Sequence, residues 1–305
     1  MSVPATILGS DQHHDQHDDH HRGLGADLAR LLARPATRRQ SLRWLGLGVS
    51  TAAMPLAGCG GGSVDDGYGI STSTTTTGSG TSGGTGGGNA ACSVIPEETG
   101  GPYPGDGTNR NANGVANALI LSGIVRSDIR ASVGGASGVA QGVPLVIRLK
   151  IENVTQGCAA AGGAAVYLWH CTREGGYSMY SSGVVDENYL RGVQEADSEG
   201  WVTFTTIFPG CYDGRMPHVH FEVYPGLAKA NSAANRIKTS QFAFPQPTLD
   251  EAYASSGYAS SVRNLARISY ATDNVFSDGT ALQMASVTGN AVQGYTAELV
   301  VGVSL

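Results

Sequence analysis

Charge is scarce in this sequence: Asp, Glu, Lys and Arg make up 14% of its 305 residues and leave a formal net charge of −6. No basic stripe runs through the globular part, so the phosphate neutralisation on which nucleic-acid binders depend is missing and nucleic acid is excluded as a partner. No apolar run is long enough or free enough of Gly and Ser to span a bilayer by itself. No internal repeat is present, which excludes solenoids and repeat arrays.

What is present divides the chain into three parts, 1–58, 59–91 and 92–305. The first begins with a tract in which His13, His14, His17, His20 and His21 alternate with acids. It precedes the expected cleavage point, so it is read as discarded rather than as a metal site. Next come Arg38 and Arg39, then Arg43, then an apolar stretch from Trp44 to Ala57 that ends in Leu56-Ala57-Gly58-Cys59. Basic residues followed by a short apolar run form a targeting signal. The arginine pair resembles a twin-arginine export signal and the ending resembles the lipobox of bacterial lipoproteins. That resemblance implies export to the cell envelope, with Cys59 lipidated and the membrane reached through that anchor only. The second part is nearly all Gly, Ser and Thr, a composition that buries too little apolar surface to order itself and reads as a tether.

The third part is expected to be one all-β domain, an antiparallel β-sandwich with few short helices. Its apolar segments are short and alternate with the strand period: Leu119 to Val125, Val143 to Ile151, Ala165 to His170, Val202 to Ile207, His218 to Val223, and Ala297 to Val303. Turn signals at Asn113-Gly114, Asp197 to Gly200 and Pro209-Gly210 separate them. One helix is expected from the capping-box pattern Thr248-Leu-Asp-Glu251 towards Ala266.

The sharpest local feature is Arg215-Met-Pro-His218-Val-His220-Phe-Glu-Val223. Residues two apart on a strand share a face, so His218 and His220 can reach one ion while Val219, Phe221 and Val223 pack the other way. Alone, an HxH pair is weak and fits exposed strand histidines better. Tyr212 and Tyr177, each in a Gly-rich loop, change that balance. A phenol ionises at neutral pH only beside a strong cation, and a set of two His and two Tyr favours hard Fe(III) over zinc.

Four motifs in order now carry a resemblance. They are Val166-Tyr-Leu-Trp-His170-Cys-Thr-Arg-Glu-Gly-Gly-Tyr177, Leu190-Arg-Gly-Val-Gln194, Phe204-Thr-Thr-Ile-Phe-Pro-Gly-Cys-Tyr212, and Gly214-Arg-Met-Pro-His-Val-His-Phe221. Together with Glu97-Glu-Thr-Gly-Gly-Pro-Tyr103 they resemble the intradiol ring-cleavage dioxygenases from about Cys92 to the C-terminus. The resemblance implies one non-haem Fe(III) held by Tyr177, Tyr212, His218 and His220, with Tyr212 as the phenolate that leaves when substrate binds. It implies that Arg215 steadies charge on the activated ring and that Gln241 partners Arg215. It also implies a small aromatic diol and O2 as reactants and a muconate-type diacid as product. Two features differ from the better-known soluble members: the gap from Tyr212 to His218 is short, and no helical dimerisation segment precedes the sandwich. The substrate and the oligomeric state therefore stay open. A competing reading is a transthyretin-like sandwich that binds a surface ligand without turnover; the complete ligand set with Arg215 favours the enzyme.

With Cys59 lipidated, Cys92, Cys158, Cys171 and Cys211 remain, an even number that invites two disulfides in an oxidising compartment. Cys92 with Cys158 is the favoured pair. A Cys171 to Cys211 bridge, which would tie the two tyrosine loops together, is left open.

Overall fold

Alternation is cleanest in the segment that becomes the central strand of the first sheet. In a computed structural model that describes residues 92–305, β3 (Pro144–Asn153) buries Leu145, Ile147, Leu149 and Ile151 and leaves the intervening side chains partly exposed. The export segment, Cys59 and the tether lie outside the described residues.

Around β3 the chain supplies β1 (Asp106–Asn111), β2 (Gly114–Asn117), β4 (Ala159–Ala160), β5 (Ala165–Trp169), β6 (Arg191–Glu195), β7 (Trp201–Ile207) and β8 (His218–Tyr224). Then follow β9 (Lys238–Ala243), helices α1 (Gln246–Tyr253) and α2 (Ala259–Leu265), β10 (Ser286–Asn290) and β11 (Gly294–Val303). One sheet runs β10-β11-β3, with β4 and β7 both paired to the far side of β3. The other runs β6-β5-β8-β9, and β1 with β2 forms a separate hairpin. Pairing is antiparallel, as expected, except that β11 lies parallel to β3. The chain between those two strands contributes every strand of the second sheet, which is the long crossover that parallel pairing demands.

The two sheets bury one apolar layer, with Leu145, Ile147 and Phe204 from the first against Val166, Leu168, Val219, Phe221 and Phe242 from the second. Each such side chain contributes roughly 1.5–3 kcal/mol on burial. The sheets differ on their other faces. Outside the first, Arg148 stacks over Trp201 and pairs with Glu298. Outside the second, a further cluster of Tyr167, Trp169, Tyr177, Tyr224, Leu119 and Ile124 covers the strands. β5 and β8 are therefore buried at every position.

Two expected elements fold differently. Leu119 to Val125 is not a strand but a pair of tight turns, closed by Leu121 N–H to Ala118 O and Ile124 N–H to Leu121 O. Its apolar residues split, with Leu119 and Ile124 buried and Ile120 and Val125 facing solvent. The expected single helix is two. The first ends at Tyr253, and in the linker that follows Gly257 holds φ +93°, where a Cβ would meet the Arg173 guanidinium at 2.6 Å. Nor does Thr248 cap: α1 starts two residues earlier, after Pro245, and Glu251 instead accepts a hydrogen bond from Ala291 N–H. β6, β9 and β10 carry no strong alternation and were not expected.

Cys92 and Cys158 form the favoured disulfide, with Cα atoms 5.7 Å apart. Cys171 and Cys211 are buried free thiols, so the second bridge is absent. Their sulfurs point to different carbonyls, Cys171 to Gly210 O and Cys211 to Arg215 O, each at 3.4 Å. Burial holds both thiols neutral, pushed up to about 12.

Candidate metal centre

Strand register assembles the centre. Trp169 on β5, His220 on β8 and Gln241 on β9 stand side by side across three adjacent strands, and His218 lies one pleat along. His218 and His220 face outward into the second cluster while Val219, Phe221 and Val223 enter the main core, as the two-residue period requires. Because loops roof that outer face, both histidines are only 2% exposed.

Those loops deliver the tyrosines. Tyr177 comes from the segment after β5 and Tyr212 from the segment between β7 and β8. The two segments are joined by backbone: Gly210 N–H donates to Thr172 O at 3.0 Å, and Thr172 N–H to Gly176 O at 2.7 Å. Only glycine fits at position 210, where a Cβ would sit 2.5 Å from Arg173 O. Main-chain bonds thus do the tying for which a Cys171 to Cys211 disulfide was considered.

Tyr177 Oη lies 3.4 Å, Tyr212 Oη 3.3 Å and His220 Nε2 3.0 Å from His218 Nε2. On the other side of that ring, His218 Nδ1 is 2.6 Å from Met216 O, which assigns the ring proton to Nδ1 and leaves Nε2 with a lone pair. One sp² lone pair satisfies one hydrogen bond well, yet three polar atoms converge on it. Burial lowers the proton affinity of both imidazoles well below the usual range; Arg215 adds to this for His218, and His218 followed by Arg215 for His220. Both rings are neutral at physiological pH and have ligating electron pairs. Donors held ~2.1 Å from a common cation stand roughly 3.0–3.4 Å apart at right to tetrahedral angles, and the three spacings fall in that range. The donor set therefore fits a metal ion, with two hard phenol oxygens that suit a trivalent one. A carbonyl on the remote nitrogen of a ligating histidine is the usual outer support. Trp169 adds more, stacked on His220 at 4.9 Å between centroids and 2° between planes.

Among the described residues, one cluster of His, Cys, Asp and Glu has metal-holding spacing, Cys92, Glu152 and Cys158. Both of its sulfurs are spent in the disulfide.

Beside the donors, Arg215 is fully buried. Its Nη2 donates to Gln241 Oε1 at 2.7 Å and its Nε to Asp273 Oδ2 at 3.0 Å, while Gln241 Nε2 donates to Thr99 O at 2.7 Å. The expected pairing of Gln241 with Arg215 is present. Asp273 is a residue that sequence reasoning missed, lying 58 positions from Arg215 with no motif around it. Arg191 was quoted only as part of a motif. It sits buried behind the tyrosine loops and donates to Tyr103 O, Pro104 O, Ser178 O, Ser178 Oγ and Tyr167 Oη. A guanidinium with five donors in one plane suits such a junction.

No protein-family model matches the chain, and no curated protein does. Solved structures do. An intradiol ring-cleavage dioxygenase from Tetranychus urticae is similar at 24% identity with a TM-score of 0.53, covering 70% of this chain and 95% of its own. A crystal structure of another dioxygenase is similar at 24% identity with a TM-score of 0.51 and the same coverage. At this identity the likeness is one of fold, and it shows that residues 92–305 adopt the β-sandwich of those dioxygenases.

Proposed function

We propose that the domain is a non-haem Fe(III) dioxygenase that opens catechol-type rings between the two hydroxyl-bearing carbons. The observation that carries this reading is the convergence of Tyr177, Tyr212 and His220 on one imidazole nitrogen of His218, a surplus of donors that a cation reconciles. The order of the sequence motifs and the shared fold support it.

Tyr177, Tyr212, His218 and His220 would hold Fe(III), which would supply Lewis acidity towards a catechol bound there. The side chains divide the remaining work. Tyr212 is half-buried on a loop, whereas Tyr177 is 1% exposed. Tyr212 is therefore the phenol placed to swing away and take, on its Oη, a proton that the diol gives up. His218 and His220 keep their orientation through Met216 O and the Trp169 face. Arg215 presents a fixed cationic edge to negative charge that grows on the ring, a preorganised donor of the kind that stabilises transition states. The product incorporates both oxygen atoms and is a muconate-type diacid.

Export through the twin-arginine-like segment and anchoring at Cys59 belong to the same proposal, with the tether of 59–91 giving the domain reach from the membrane.

The test is to produce the chain from Ala91 onward, measure iron, record the visible spectrum, and follow oxygen uptake with catechol, protocatechuate, hydroxyquinol and a lignin-derived diol. The proposal expects one iron per chain, a phenolate charge-transfer band and uptake with at least one diol. Colourless protein that takes up no iron on reconstitution overturns it in favour of a binding module.

A further inference from the structure

We infer that Asp273 is a positioning residue of this centre, holding the Arg215 guanidinium in one orientation and tying it to the strand that carries His218 and His220. The inference rests on the dioxygenase reading for the role of Arg215, and on geometry alone for the rest.

Asp273 is fully buried and surrounded by N–H donors. Its Oδ2 accepts from Arg215 Nε at 3.0 Å and from Met216 N at 2.6 Å. Its Oδ1 accepts from Val275 N at 2.8 Å and Phe276 N at 3.1 Å. Four donors on two oxygens make the position acceptor-only. An amide cannot replace the carboxylate, because whichever way it turns its NH2 faces two donors. Each pair of contacts does a different thing. The Oδ1 pair fixes the acid on the loop that also brings Phe276 to 6.4 Å from the His218 ring. The Oδ2 pair grips Arg215 and the residue after it at once, so the side-chain charge and the backbone running into β8 share one anchor.

Gln241 completes the arrangement from the opposite edge. It accepts from Arg215 Nη2, donates to Thr99 O, and its own carbonyl accepts from Gln283 Nε2 at 3.0 Å. Gln241 is neutral, so Asp273 is the contact that both orients the guanidinium and balances its buried charge. Such a pair brings no net cation to the site. What it delivers is direction, which is what a preorganised donor requires. Asp273 bonds Arg215 and Met216, and Met216 O lies against His218 Nδ1, so the experiment must separate an effect through Arg215 from one through the His218 backbone.

The experiment compares wild type, Asp273→Asn and Asp273→Glu, with Arg215→Lys to assign signals. In the metal-free folded protein labelled with 15N-arginine, wild type is expected to show resolved, slowly exchanging guanidinium signals for Arg215. Asp273→Asn is expected to average them, and Asp273→Glu to restore part of the protection. In the iron-loaded protein, Asp273→Asn is expected to keep iron and the resting visible band while kcat falls about a hundredfold and KM changes little. Unchanged Arg215 signals with wild-type turnover overturn the inference. So does loss of iron in step with activity, since Asp273 would then serve the His218 backbone rather than Arg215. If Asp273→Asn fails to fold, Asp273→Glu is read in the same two assays, and undisturbed Arg215 signals and turnover in it count against the inference. The NMR result holds or fails without any iron, so its outcome is separate from that of the dioxygenase reading.

Discussion

His218 and His220 bring their Nε2 atoms to 3.0 Å of each other from one face of β8. The lone pair on His218 Nε2 can accept one proton, from His220 Nε2 or from a tyrosine Oη, and a cation is what all three contacts can share at once. Removing one ring should therefore reveal what the pair holds. His220→Ala is expected to reduce bound iron from stoichiometric to a small fraction, measured by elemental analysis. His170→Gln, a substitution of a neighbouring buried imidazole outside the donor set, is expected to retain it.

The two phenols differ in exposure, so they should differ in effect. Tyr177→Phe is expected to abolish iron binding or weaken it by tenfold or more, because that phenol is fixed on a hydrogen-bonded loop. Tyr212→Phe is expected to retain iron with a weaker, shifted visible band and to lose most turnover. Absorbance and oxygen uptake on the same samples check both.

Arg191→Leu removes the donor for three main-chain carbonyls at the junction of the 103–105 and 178 segments. Pro104 O keeps its bond from Tyr167 Oη at 2.8 Å, so the loss is that of the guanidinium's own buried bonds, about 3 kcal/mol or more in sum. For a domain of this size the melting midpoint should drop by roughly 6–12 °C, read by circular dichroism.

His170 is buried, with Nδ1 2.8 Å from Cys171 O and Nε2 2.7 Å from Thr206 Oγ1. Burial lowers its pKa to about 4 from 6.5. A folded value below the unfolded one means the unfolded chain binds the extra proton first. The stabilising contribution is complete above pH 6.5 and is lost as the pH falls towards 4, amounting to roughly 3 kcal/mol across the window. Glu98 titrates in the opposite sense: burial and then Asp278 raise its pKa to about 7, so its contribution is complete below pH 4.5 and is lost as the pH rises through 7. Denaturant titrations of the metal-free protein should thus show an acid limb that flattens in His170→Gln, and a decline towards pH 7 that becomes shallower in Glu98→Gln, the remainder coming from Glu222, whose pKa burial raises to about 8.

The Cys92 to Cys158 bridge spans 66 positions, and closing a loop of that length contributes roughly 4 kcal/mol in the chain-entropy account. Reductant should lower the denaturation midpoint accordingly. For protein begun after Cys59, thiol titration after unfolding should find two reactive groups without reductant and four with it.

Much of this was legible in the residues. The HxH spacing put two imidazoles on one face, since alternation is a property of any strand. The Asn113-Gly114 and Asp197 to Gly200 signals marked real turns, because those residue types favour tight reversals, whereas Pro209-Gly210 lies in a segment without a turn whose Gly210 N–H donates to Thr172 O. The segments at Val143, Ala165, Val202, His218 and Ala297 became strands within a few residues of the expected bounds. Leu119 to Val125 misled because its alternation served two separate tight turns rather than a ladder. The expected helix was interrupted between Tyr253 and Ala259, in a linker whose Gly257 takes a positive φ.

By itself the sequence determined the strand period, the reversals and the order of chemistry-bearing residues along the chain, all of which depend on neighbours a few positions apart. Only the tertiary structure decided that loops roof the outer face of the second sheet, that Tyr177 and Tyr212 arrive at the same imidazole, that Cys171 and Cys211 stay thiols, and that Asp273 meets Arg215. Those outcomes depend on which distant segments close on one another. Closure is chosen by total burial and by satisfaction of buried polar groups over the whole domain, and a local pattern does not contain that sum.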